Sequence, residues 1–199
     1  MIIWLASYPK SGNTWIRSFL NSLIFTDKGT LDLNSLRNIY QFPVRSQFKE
    51  IKNDMDNLKK LSINWIPVQK KINSDNKVRF FKTHHSLCNI NGNSFTNIEN
   101  TLGVIYVVRD PRNIITSVLY HYSKSSYDEA KEFMFDEKKI IGRNFDEIKD
   151  VYKDNDIITL ISSWKNHYNS WKNFPKNFLL IKYEDLIKNE RKELYKLTK

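Results

Sequence analysis

Ile2-Ile3-Trp4-Leu5-Ala6-Ser7-Tyr8-Pro9-Lys10-Ser11-Gly12-Asn13-Thr14-Trp15 stands at the head of the chain, and its reading decides the fold. Ile2 to Ala6 is a short continuous apolar run that ends in a polar stretch holding a proline and a glycine, the pattern of a buried strand entering a tight loop. Beyond it Trp15, Ile16, Phe19, Leu20, Leu23 and Ile24 recur as one apolar face at helical period. The opening unit is therefore strand, loop, helix.

The same unit recurs downstream. Val78 to Phe81 reads as a second strand running into Lys82-Thr83-His84-His85. Gly103 to Val108 is β-rich and apolar, and Arg109-Asp110-Pro111 follows as an exit loop with an N-cap aspartate and a proline at the first helical position. Ile114, Ile115, Val118, Leu119 and Tyr122 share one face of the next helix. A helix near Ile157 to Trp171, a last strand at Phe178 to Ile181 and a helix beginning after Asp185 complete the pattern. Between these, residues 26 to 76 offer helical fragments around Leu31 to Tyr40 and Asn57 to Lys71 and no strand, and Ser123 to Asn155 reads as a charged, loop-like, lid-type segment.

Apolar strands alternating with helices imply a mostly parallel sheet covered on both faces, an α/β three-layer sandwich. Ligands of such sheets bind at the carboxyl ends of the strands. Three polar, basic loops fall there: Tyr8 to Thr14, Lys82 to His85, and Arg109 to Arg112.

At 199 residues the chain suits a single domain, and hydrophobic residues at 40% supply a core, which excludes global disorder. One cysteine, Cys88, excludes an internal disulfide framework and a cysteine-rich zinc site. No run of about 18 apolar residues predicts a membrane span, and the apolar start lacks a basic flank, so a soluble, cytoplasmic chain is expected. Lys and Arg number 32 against 22 Asp and Glu, a formal +10. The excess is spread along the chain with no like-charged block, which reads as compositional bias rather than a nucleic-acid surface.

The first loop would present backbone N–H groups and a helix N-terminus to an anion, with Lys10 adding a point charge. It is not a Walker A sequence, because the lysine precedes the only glycine. An ordinary βα turn capped by Thr14 is the plain alternative. In the second loop His84 and His85 compete, since neighbours in an extended chain point to opposite sides. His121 and His167 lie in helical patterns and read as packing or surface residues.

Tyr8-Pro9-Lys10-Ser11-Gly12-Asn13-Thr14-Trp15 resembles the 5′-phosphosulfate loop of the sulfotransferases that use 3′-phosphoadenosine 5′-phosphosulfate (PAPS), with Asn13 where that family usually has threonine. Phe81-Lys82-Thr83-His84 is similar to its catalytic-histidine segment. Tyr106-Val107-Val108-Arg109-Asp110-Pro111-Arg112 with Ser117 resembles its 3′-phosphate segment. Ser163-Trp164, Trp171 and Lys182-Tyr183-Glu184-Asp185-Leu186 are similar to its later helix and strand. These ordered matches run from Met1 to about Leu186.

The resemblance implies a single sulfotransferase-like domain over 1–199, of the P-loop-NTPase-like sulfotransferase fold. The family's further Arg-Lys-Gly loop, which holds the donor, has no counterpart before Lys199. It implies PAPS as co-substrate, the bisphosphate PAP as product, and no metal. Lys10, Ser11, Gly12, Asn13, Thr14, Trp15, Arg109, Ser117 and Tyr183 are implied to bind the donor, with Trp15 and Tyr183 against adenine. Lys10 and Lys82 are implied to stabilise the moving sulfonate and His84 to act as general base, a role suited to an imidazole. The implied acceptor is a hydroxyl or amine on a small molecule or glycan, and a homo-oligomer is allowed. Tyr40, Phe42, Phe48 and Trp65 are aromatics available to an acceptor pocket, with core packing the expected role for most. A nucleotide or small-molecule kinase and a catalytically impaired nucleotide-binding fragment are the alternatives.

Overall fold

The computed structural model describes residues 1–26, 36, 38–51, 55–142 and 157–198. Its centre is β1 (Ile2–Ser7), flanked on one side by β3 (Arg79–Thr83) and beyond it β2 (Tyr40–Gln41), and on the other by β6 (Thr101–Val108) and β9 (Phe178–Lys182). All four pairings are parallel, giving the order β2-β3-β1-β6-β9. Two short antiparallel pairs lie outside this sheet: β4 (Asn89–Ile90) with β5 (Asn93–Ser94), and β7 (Ile140–Ile141) with β8 (Thr159–Leu160).

β1 is apolar on both faces because it is the middle strand of a sheet covered twice. Trp4 and Ala6 point into one core with Phe42, Phe81, Phe95 and Trp171, while Leu5 points into the other with Ile16, Leu20, Ile105 and Ile181. Trp4 is wholly buried and keeps its indole N–H satisfied by donating to Thr101 Oγ1 at 3.0 Å. Burial of each such large apolar side chain is worth about 1.5–3 kcal/mol. α1 (Asn13–Phe25) covers the Leu5 face, and α6 (Trp164–Lys172) covers the Trp4 face through Trp171. A third core under α4 (Pro111–His121) and α5 (Tyr127–Phe135) gathers Tyr8, Ile114, Val118 and Phe133.

Several segments differ from expectation. Residues 26–76 do contain a strand: Tyr40 and Gln41 pair with Phe81 and Lys82, an edge interaction two residues long that carries no alternation to read. The described part of the charged stretch after Ser123 is not all loop. Ser126 caps α5 by accepting from Glu129 N–H, and Ala130, Phe133 and Met134 are buried beneath an outer face of Asp, Glu and Lys that masks the pattern. The expected helix from Ile157 begins only at Trp164, after β8, with Ser163 as its N-cap. Asn57 to Lys71 divides into α2 (Leu58–Ser62) and α3 (Trp65–Ile72), and the last strand is followed directly by α7 (Tyr183–Lys188) and α8 (Glu190–Tyr195), so helix starts two residues before Asp185. The fragment around Leu31 to Tyr40 and residues 143–156 fall largely or wholly outside the described residues.

Phe42, Phe48 and Trp65 are completely buried core residues, and Tyr40 is exposed at the sheet edge. Asp110 caps α4 by accepting from Arg112 N–H at 2.9 Å, with Pro111 opening the helix as the sequence predicts.

Candidate functional site

The loops after β1, β3, β6 and β9 meet at one end of the sheet. The first is shaped by backbone: Lys10 has φ +66° and Gly12 φ +92°, and Gly12 is the N-cap of α1 with no side chain closing the helix end. Thr14 is exposed and does not cap, against the plain-turn expectation. In the first turn of α1 only Trp15 N–H finds a backbone partner, Gly12 C=O at 3.1 Å, and the positive dipole end has no acidic residue to neutralise it. Ser11 is buried with its hydroxyl unpartnered. The Asn13 side chain turns away from this end. Its amide donates to Leu5 C=O and Ser7 Oγ, both at 3.1 Å, and ties the loop to β1.

Arg109, at the end of β6, reaches across to this loop. Its Nη1 donates to Lys10 C=O at 3.1 Å and to Ser117 Oγ at 3.4 Å, and its buried Nε has no partner. The guanidinium lies 4.5 Å from the centre of the Tyr183 ring. Tyr183 packs against Gly12 and meets Trp15 edge-on at 6.0 Å. Trp15 is half-buried against the Leu5 core, as its place on the apolar helix face predicts, and its indole N–H donates to Glu190 Oε1 at 2.9 Å. Glu184 fixes the Arg109 loop by accepting from Asp110 N–H at 2.9 Å. Lys10, Ser11, Gly12, Trp15, Arg109, Ser117 and Tyr183 therefore form one cluster, rich in donors and containing unsatisfied buried ones.

At the end of β3 the two histidines diverge. His85 is buried, stacked on Phe95 at 4.3 Å and edge-on to Trp65 at 4.7 Å, which makes it a core residue. His84 is half-buried, with Nδ1 2.8 Å from Ser7 C=O. A carbonyl only accepts, so Nδ1 carries the proton and Nε2 keeps its lone pair. Burial first, then the Lys82 ammonium, then His167 and Lys10 hold the His84 pKa well below 6.5, against the opposing pull of the Ser7 hydrogen bond. Lys82 itself donates to Gln41 Oε1 at 2.9 Å. A neutral imidazole with a free nitrogen thus lies within the field of both lysines.

The sulfotransferase domain family matches residues 2–199. The chain belongs to that family. Among solved structures it is similar to the mouse sulfotransferase SULT7A1 complexed with PAP, at 19% identity and a TM-score of 0.54, over 99% of this chain and 56% of that one. This sulfotransferase domain thus spans a little over half the length of that relative. No curated protein matches it.

Beside this cluster lies a buried polar layer that no sequence pattern announces. His167, expected as a packing or surface histidine, is fully buried and polar-bonded, with Nδ1 2.7 Å from Tyr106 Oη and Nε2 3.1 Å from His84 C=O. Trp171 Nε1–H donates to His85 C=O at 2.9 Å. α6 therefore holds both histidine carbonyls. Only the polar residues on its inner face hinted at this in the sequence. His121, by contrast, is exposed. Among the described residues no group of acidic, histidine or cysteine side chains could hold a metal ion, and no helix is long and apolar enough to cross a membrane.

Proposed function

We propose that the chain transfers a sulfonate group from PAPS to a hydroxyl or amine of a small-molecule or glycan acceptor, with His84 as general base. The observation that carries this reading is the convergence of Arg109, Ser117 and Tyr183 on the uncapped loop of Lys10 to Gly12, where Ser11 Oγ and Arg109 Nε are buried without partners. Unpaired buried donors at a helix N-terminus suit an anion that supplies the missing acceptors. An arginine and a hydroxyl 3.4 Å apart suit the 3′-phosphate of the donor, and the Tyr183 and Trp15 rings suit its base.

In the transfer the acceptor oxygen or nitrogen forms a bond to sulfur as the bond from sulfur to the 5′-phosphate oxygen breaks. The acceptor proton passes to His84 Nε2, and PAP leaves. Such a reaction asks for alignment and neutralisation of charge more than covalent participation by the protein. Lys10 would neutralise the leaving phosphate oxygen and Lys82 would assist at the sulfonate. Ser11 would contribute its free hydroxyl, and Gly12, Asn13 and Thr14 backbone N–H groups, Asn13 because its amide is committed to β1.

Calorimetry of the purified chain against PAP, 5′-AMP and Mg-ATP tests the reading. Preference for PAP of tenfold or more over 5′-AMP is the expected result, because each decade corresponds to about 1.4 kcal/mol and a charged hydrogen bond is worth about 1.5–3 kcal/mol. Equal affinity for the three would overturn it, and preference for Mg-ATP would favour a kinase.

A further inference from the structure

The hydrogen bonds around His167 form a directed chain that crosses the sheet. Tyr106 Oη lies 2.7 Å from His167 Nδ1 on α6, and His167 Nε2 lies 3.1 Å from the carbonyl oxygen of His84 after β3. The directions are fixed by chemistry. The His84 carbonyl can only accept, so His167 must carry its proton on Nε2. Its Nδ1 is then an acceptor, and Tyr106 must donate to it. Tyr8, in the anion loop after β1, packs its ring edge-to-face with the His167 imidazole at 5.6 Å, and this contact couples the pair to the loop.

We propose that Tyr106 and His167 are positioning residues that set the His84 imidazole in register with the anion loop. The inference rests on the proposed role of His84. In-line transfer requires that the base and the bound donor keep one relative geometry, and a misplacement of about 1 Å costs on the order of 100-fold in rate. His84 and the loop come from different strands, β3 and β1. Ser7 holds the imidazole at Nδ1, while the Tyr106–His167 pair holds the peptide of the same residue and joins it to Tyr8. Two anchor points fix a ring where one leaves it free to rotate. Both Tyr106 and His167 are completely or nearly completely buried, and burial keeps His167 neutral down to about pH 3 and Tyr106 protonated well above pH 10. The strap therefore does not change its polarity at any pH where the enzyme would work.

The test follows the tautomer of His84, which a merely structural role for His167 would not move. Protein carrying 15N-labelled histidine is examined by long-range proton–nitrogen correlation at neutral pH, for the wild type and for Tyr106→Phe, His167→Leu and His167→Gln. Wild type should show His84 as a single form protonated at Nδ1. Tyr106→Phe removes the donor to His167 Nδ1, one of the two bonds that fix the His167 ring, so the His84 peptide is held less firmly. The single signature of His84 should then be lost to a mixture, and lost again in His167→Leu. Glutamine can donate and accept where Nε2 and Nδ1 did, so His167→Gln should restore the wild-type signature. If His167→Leu fails to fold, Tyr106→Phe and His167→Gln decide. An unchanged His84 signature in Tyr106→Phe overturns the proposal, as does a glutamine variant without the single form. PAP binding is measured on the same samples. Failure of wild type to bind PAP would sink the proposed function without altering the tautomer result, so the two readings fail separately.

Discussion

Gly12 and Tyr183 touch so closely that a methyl group on Gly12 would stand 2.4 Å from Tyr183 Cδ2. The glycine is required twice, by this contact and by its φ of +92°. A non-glycine residue in that region costs about 1–2 kcal/mol before any clash is counted. Gly12→Ala should displace the Tyr183 ring and with it the support under Arg109. A lowered melting temperature and a loss of PAP affinity of roughly tenfold or more are expected, tenfold being about 1.4 kcal/mol. In the double variant Gly12→Ala with Tyr183→Ala, stability should partly return and affinity should not. Full recovery of PAP binding would show that the close contact has no part in the site.

Arg109 joins the loop, α4 and Tyr183 through one planar guanidinium. Lysine keeps the charge and loses the fork and the flat face. Arg109→Lys should therefore weaken PAP roughly 10- to 100-fold by calorimetry, the equivalent of about 1.5–3 kcal/mol for a lost charged hydrogen bond, and weaken 5′-AMP much less. Equal losses for both nucleotides would mean that Arg109 does not read the 3′-phosphate.

Replacing His84 by alanine should lower sulfonate transfer by about 100- to 10,000-fold, the usual range for a lost general base, with PAP affinity changed about twofold or less. Because burial and then Lys82 depress the His84 pKa, the imidazole is already neutral at pH 6.5, and the acid limb of kcat/KM should lie below that value. Lys82→Met removes the second of those causes, so the same limb should move toward neutral pH. An acid limb that stays in place, or moves lower, would separate Lys82 from the histidine.

Stability should also fall in acid. His85 and His167 are buried and neutral, with pKa values depressed by burial to about 4 and about 3. In the unfolded chain they take up protons below about 6.5. The unfolded state therefore binds more protons than the native one, and stability present above pH 6.5 is lost as pH falls through that value. Between about pH 6 and 4 each contributes a loss of at most about 1.4 kcal/mol per pH unit, and His84 adds in the same direction. Denaturant unfolding across this range checks the slope, and His167→Gln should reduce it by one histidine's share. A flat profile would contradict the burial of these rings.

The strand, loop and helix at Ile2 to Trp15 were legible because a central parallel strand must be apolar on both faces and its exit must turn sharply. β6 with Asp110 and Pro111 was legible for the same reasons, with the cap signal added. α5 was not, since its buried stripe of Ala130, Phe133 and Met134 is interrupted by surface charge, and β2 was not, since two residues at an edge carry no period. Of the site, the residue types and their order along the chain could be read, but not which of two adjacent histidines faces the cleft or which way Asn13 turns. Those depend on partners far away in sequence: Ser7 for His84, and Phe95 and Trp65 for His85.

By itself, then, the sequence determined the α/β class, the buried character of β1 and the three polar, basic loops at the strand ends, because hydrophobic period, turn chemistry and capping are local properties. Only the tertiary structure decided that Arg109 closes over Lys10 and Tyr183, that His85 belongs to the core, and that His167 reaches the His84 carbonyl. Each of these depends on the parallel register that sets the ends of β1, β3 and β6 side by side, and register follows from the packing of both faces at once rather than from any one segment.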